Sequence, residues 1–153
     1  MFIIKGLLIT AAAIVVLYPL WGVLQPMSYM AELLEVYPFA KGANEAQIRI
    51  AAGLLLISNS IMGLSLVLIS RYISYPISTH FLKLSALLLI SYPLILSVVE
   101  VFSSKELSRH LDSPIVTLEF SAIKLFYMVF GMALLGIFKT LKQTEPTKLE
   151  TKA

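Results

Sequence analysis

Six polar side chains interrupt or border the most apolar parts of this sequence, and all are of types that bind or catalyse: Glu45, Arg49, Asn59, Glu100, Glu119 and Lys124. Charges within apolar segments are costly, so they face a protein interior, pair with one another or line a pathway. Glu45 and Arg49 stand four apart and can pair on one helical face. Glu45 or Glu119 could act as general base on a lipid or quinone, but a base needs reach to its target and a shifted pKa, and spacing supplies neither. His80 and His110 are predicted in different loops on opposite sides of a membrane, so they share no metal. The span serines Ser58, Ser60, Ser65, Ser85, Ser91 and Ser97 have no histidine nearby to activate them and read as helix-packing residues. The absence of cysteine excludes thiol oxidation and thiolate metal sites. No catalytic residues, metal ligands or cofactor are expected, and an enzyme is the less favoured class.

The elements that must position these residues are apolar. Hydrophobic residues make up 58% of the 153, and only 14% are charged, against roughly 25% in soluble domains. Mean hydropathy is +0.87. A bilayer core about 30 Å thick takes about 20 apolar residues per helix. Four stretches qualify: 2–24, 50–69, 82–102 and 120–138. None alternates as a transmembrane strand does. The first continues through Tyr18-Pro19-Leu20-Trp21 and lacks a good cleavage site, so it reads as a retained span. The expected fold is an all-α integral membrane four-helix bundle over 1–138, antiparallel, followed by a polar tail over 139–153. Seven Lys and Arg (Lys5, Arg71, Lys83, Lys139, Lys142, Lys148, Lys152) would lie on one side against four (Lys41, Arg49, Lys105, Arg109) on the other. The positive-inside rule then puts both termini in the cytoplasm, in a multi-pass protein of the cytoplasmic (inner) membrane. The net charge of +3 does not suggest nucleic acid as a partner.

Between the first two spans, Ser28–Tyr37 predicts a short interfacial helix that Pro38 stops. Tyr29, Leu33, Val36 and Tyr37 would share its apolar face. A plain interfacial anchor is favoured over a lid. Asn44 with Gln47 predicts a capping box for the second long helix, and Ser113-Pro114 predicts the start of the fourth. Glu45, Arg49, Ala52, Leu56, Asn59 and Gly63 form one stripe on the second helix, expected to face the interior, and Lys124, Met128, Gly131 and Leu135 form a parallel stripe on the fourth. Glu45, Arg49, Glu100, Glu119 and Lys124 would then gather at the outer end, floored by Asn59 and Ser58, as a polar pocket or as structural ion pairs. Tyr18-Pro19-Leu20 returns as Tyr92-Pro93-Leu94 74 positions later, which fits two duplicated hairpins or chance.

One family comparison rests on Pro26, Ala31-Glu32-Leu33-Leu34, Asn44–Leu54 and Arg109–Pro114 followed by Leu118-Glu119. These segments resemble the DoxX-like group of small four-helix membrane proteins. Paired glycines of that group correspond here to Ala52-Gly53. The resemblance carries over Glu45, Arg49, Gly53 and Glu119, and implies an accessory or scaffolding role.

The leading expectation is a non-catalytic membrane subunit that assembles with, or regulates, a larger membrane complex, with a protein partner or a homo-oligomer in the lipid bilayer. The alternative is a small-molecule or lipid-binding carrier that uses an outward-facing charged pocket.

Overall fold

In hydrocarbon every backbone N–H and C=O needs a partner within the chain, and a helix supplies one locally. The computed structural model, which describes residues 2–75, 79–116, 118 and 121–144, is helical throughout its regular parts. Helix α1 (Phe2–Leu24) is followed by α2 (Pro26–Val36) and a 3₁₀ turn over Pro38–Gly42. The chain continues as α3 (Glu45–Ser74), α4 (Thr79–Leu107) and α5 (Ala122–Thr144). Four of these, α1, α3, α4 and α5, are long and apolar enough to cross a membrane, and they make the chain a multi-pass membrane protein.

Local signals set several boundaries. The capping box is made as the sequence predicts: Asn44 Oδ1 accepts from Gln47 N–H at 3.0 Å, and Gln47 Oε1 accepts from Asn44 N–H at 2.8 Å. Pro26 opens α2 and Pro38 follows its last turn. The Ser113-Pro114 start is not used, because Ser108 at the end of α4 competes for that backbone. Its Oγ accepts from Ile115 N–H at 2.8 Å and so holds the segment out of a helix. Helix α5 begins at Ala122 instead, with Ser121 before it accepting from Lys124 N–H. Helix α5 runs on through 139–144, into the segment read as the polar tail; residues 145–153, Phe120 and Glu119 lie outside the described residues.

Packing runs α1 on α3, α3 on α4 and α4 on α5. Among the described residues α1 and α5 make no extended contact, so one seam of the bundle is open. Accordingly, 33% of the residues in the most apolar stretch of each central span are buried, against 17% in each outer span. Small residues set the approach of neighbours. A Cβ on Gly131 would sit 2.9 Å from Ala86 O and 3.1 Å from Ile90 N, so α5 lies directly against the α4 backbone. Between α3 and α4, Ser65 Oγ and Ser85 Oγ are 2.8 Å apart, and Ser85 Oγ also donates to Ser65 O at 3.1 Å. Both serines are fully buried, and their reciprocal bonding satisfies hydroxyls that lipid could not.

Two apolar clusters lie along the bundle. One joins Met62 of α3 with Leu82, Ala86, Leu89 and Tyr92 of α4 and Leu134 of α5. The other gathers Tyr29 and Leu33 of α2, then Tyr37 and Ala40, around Ile48, Ala51 and Ala52 of α3 and Leu107 of α4. Helix α2 therefore lies against protein on its apolar side and covers this end of the bundle, the lid arrangement rather than a plain anchor. Val36 departs from the predicted face: it is 69% exposed, whereas Tyr29 and Leu33 are buried.

Candidate functional site

The six polar residues separate into distinct settings. Glu45 and Arg49 pair at 2.6 Å within the first turns of α3, with side chains 57% and 51% exposed. An exposed pair of this spacing contributes about 0.3–0.5 kcal/mol. The predicted stripe thus turns inward only below this point, at Ala52, Asn59 and Gly63. At the helix start Ile48 and Ala51 occupy the interior, because burying them gains more than burying an ion pair. Ser58 is buried too, its hydroxyl bonding back to Leu55 O at 3.0 Å. Glu119 lies outside the described residues.

Glu100 and Lys124 meet. The Lys124 ammonium on α5 pairs with the Glu100 carboxylate on α4. The Lys124 side chain is 4% exposed and that of Glu100 24%. This ion pair ties α5 to its neighbour α4, with the lysine shut off from water and the carboxylate partly open to it.

Asn59 joins three helices for a reason visible in the backbone. Pro19 has no N–H, so the carbonyl four residues back, Val15 O, loses its helical donor. Asn59 Nδ2 reaches from α3 and donates to Val15 O at 3.2 Å. Its Oδ1 accepts from the Tyr92 hydroxyl of α4 at 3.4 Å. The amide therefore satisfies the gap that a proline opens inside a span. Asn59→Leu is expected to lower stability in detergent by about 1 kcal/mol. The loss should shrink in a Pro19→Ala background, where Val15 O regains a donor of its own helix. Chemical denaturation of the two single variants and the double variant measures this coupling, and equal losses in both backgrounds would exclude it.

Asn59 and Glu100 also line a cavity of about 230 Å³ beneath α2. Its other walls are Tyr18 of α1, Leu55 of α3, and Tyr29, Glu32, Leu33, Val36 and Tyr37 of the cover. Neither Glu32 nor the tyrosines figured among the residues singled out for binding. The signal lies in the tyrosine and acidic positions of Ser28–Tyr37, but helical spacing sets Glu32 apart from the face of Tyr29, Leu33 and Tyr37, and Glu32 is exposed in the fold. In the structure Tyr18 donates to Glu32 at 3.0 Å across the rim. The Tyr18 and Tyr29 rings meet edge to face with centroids 5.4 Å apart, and Trp21 stands 5.8 Å from Tyr29.

Burial pushes the Tyr29 phenol up to about 12, with smaller contributions from Tyr18, Glu32 and Tyr37. The folded state thus holds this proton more tightly than the unfolded chain, where the value is 10.0. The resulting stabilisation is complete below pH 10 and fades as the pH rises through about 12. Ultraviolet titration should show Tyr29 missing from the ionisation near pH 10, so that Tyr29→Phe leaves that part of the curve unchanged.

The arrangement offers two carboxylates, an amide and three phenols around a small void, with the buried Lys124 ammonium engaged by one of the carboxylates. Against known proteins, no family model, no curated protein and no solved structure matches this chain.

Proposed function

We propose that this multi-pass protein binds a small polar molecule or lipid headgroup in the cavity beneath α2, as a carrier or binding protein of the membrane. The observation that carries this reading is Glu100, a carboxylate within a span that lines the cavity while a buried lysine of another helix holds it. Intramembrane charges mark binding sites or pathways in preference to surfaces. In this reading the four helices are antiparallel and both termini are cytoplasmic, from the distribution of Lys and Arg. The cavity then opens toward the outer face of the cytoplasmic membrane.

The test is native mass spectrometry after gentle extraction at native expression level. A small molecule or lipid should accompany the wild-type chain and be absent from Val36→Trp. Val36 lines the cavity and is exposed, so bulk there closes the mouth without entering the core. A spectrum with no retained small molecule, or identical retention in the variant, dismisses the reading.

A second reading is a non-catalytic subunit that assembles with or regulates a larger membrane complex. The open seam between α1 and α5 favours it, because a partner or a second copy could pack there. The resemblance to DoxX-like proteins points the same way, by analogy only. Co-purification of a larger protein at fixed stoichiometry in the same spectra supports this alternative.

A further inference from the structure

Resting on the cavity reading above, we infer that the ligand carries a single positive charge on an ammonium group. Two carboxylates line the cavity, Glu32 and Glu100, and among its described walls there is no Lys, Arg or His. Glu100 is already bound to Lys124, which is not among those walls. Glu32 is left facing a neutral phenol, Tyr18, which donates to it at 3.0 Å. The cavity therefore holds one carboxylate charge more than its protein partners neutralise. Glu32 stands at the exposed rim, where that surplus disfavours an anion and is left to solvent counterions beside a neutral ligand. A monocation cancels it.

The remaining walls suit the same chemistry. Tyr18, Tyr29 and Tyr37 supply aromatic surface, and ring faces attract ammonium groups by about 0.5–2 kcal/mol, more when water is excluded. A metal ion fits poorly, since no three His, Asp or Glu side chains gather in one place among the described residues. The volume of about 230 Å³ lies below the ~300 Å³ where pockets for drug-sized molecules begin. An amine headgroup is of suitable size, whether on a free metabolite or on a lipid.

The chain has one tryptophan, Trp21, with its ring 5.8 Å from Tyr29 and 6.5 Å from Tyr18, so its fluorescence reports on the cavity wall. The experiment titrates the purified full chain with choline and with ethanolammonium at constant ionic strength. The control ligand is the neutral analogue of choline in which carbon replaces nitrogen. At least one cation should saturate the signal, about tenfold or more tighter than the neutral analogue. Glu32→Gln retains an acceptor for Tyr18 but removes the surplus charge, and should weaken the cation by about tenfold.

Equal affinity for cation and analogue, or an unchanged affinity in Glu32→Gln, overturns the ammonium assignment and leaves the cavity reading standing. So does the absence of any cation response, if mass spectrometry still finds a neutral or anionic molecule that Val36→Trp loses. An absent response together with empty spectra overturns both. Two nanodisc compositions identify the source of the amine. Suppression of the cation response by phosphatidylethanolamine, relative to phosphatidylglycerol alone, assigns a lipid headgroup. An equal response in both assigns a free cation.

Discussion

Lys124→Met should be the most damaging single substitution in the spans, with a loss of about 3–5 kcal/mol of stability in detergent. The lysine side chain is 4% exposed and pairs with Glu100 across the α4–α5 contact. Removing it leaves a carboxylate in the interior with its strongest partner gone. Glu100→Gln should cost a similar amount, because an ammonium is then left buried beside a neutral amide. The double variant Glu100→Gln/Lys124→Met should recover most of the loss, since it removes both charges from a site of nearly constant volume. Denaturant unfolding of all four proteins gives the coupling. If Lys124→Met alone matches the wild type, the lysine reaches water along its own stem and the pair does not hold α5 in place.

Gly22→Ala should lift α2 from the bundle. The Cβ would fall on the Tyr29 ring and lie 2.8 Å from Ala52 Cβ, so the added methyl meets the cover on one side and α3 on the other. Ala52 is fully buried and fixed on a helix, which leaves Tyr29 as the group that must move. Overpacking of this kind costs about 1–3 kcal/mol. Here the cost falls on the α2 contact, because the spans are held by longer interfaces. Proteolysis around Lys41 should therefore accelerate in Gly22→Ala at temperatures where the spans remain folded. Unchanged cleavage would mean that the ring shifts within the cavity and the cover stays closed. A loss of ligand retention without faster cleavage would report that second outcome directly.

The failure of three sequence expectations shares one cause. Glu45 and Arg49 share a helical face with Asn59, so spacing placed them together. Whether that face turns inward depends on what else the first turn of α3 offers, and Ile48 and Ala51 compete for the interior at less cost. Val36 follows the same logic on α2, where Tyr29, Leu33 and Tyr37 fill the contact and leave no room for it. Ser113-Pro114 carries a valid start signal, yet Ser108 takes the Ile115 amide first. In each case a local preference worth about 1 kcal/mol or less yields to a contact that spacing cannot foresee.

Sequence by itself determined the four spans, the capped start of α3 and the short helix between Pro26 and Pro38. Each rests on interactions within one segment: apolar length against a bilayer, a side chain on its own backbone, a proline without a donor. Only the tertiary structure decided that Lys124 meets Glu100, that Asn59 answers the carbonyl freed by Pro19, and that Glu32 closes a cavity with them. Those pairings join helices 24, 44 and 14 positions apart along the chain, in the contacts Lys124–Glu100, Asn59–Val15 and Glu32–Tyr18. Helical periodicity sets which residues share a face, but the rotation of each helix about its axis is chosen by the neighbours it packs against.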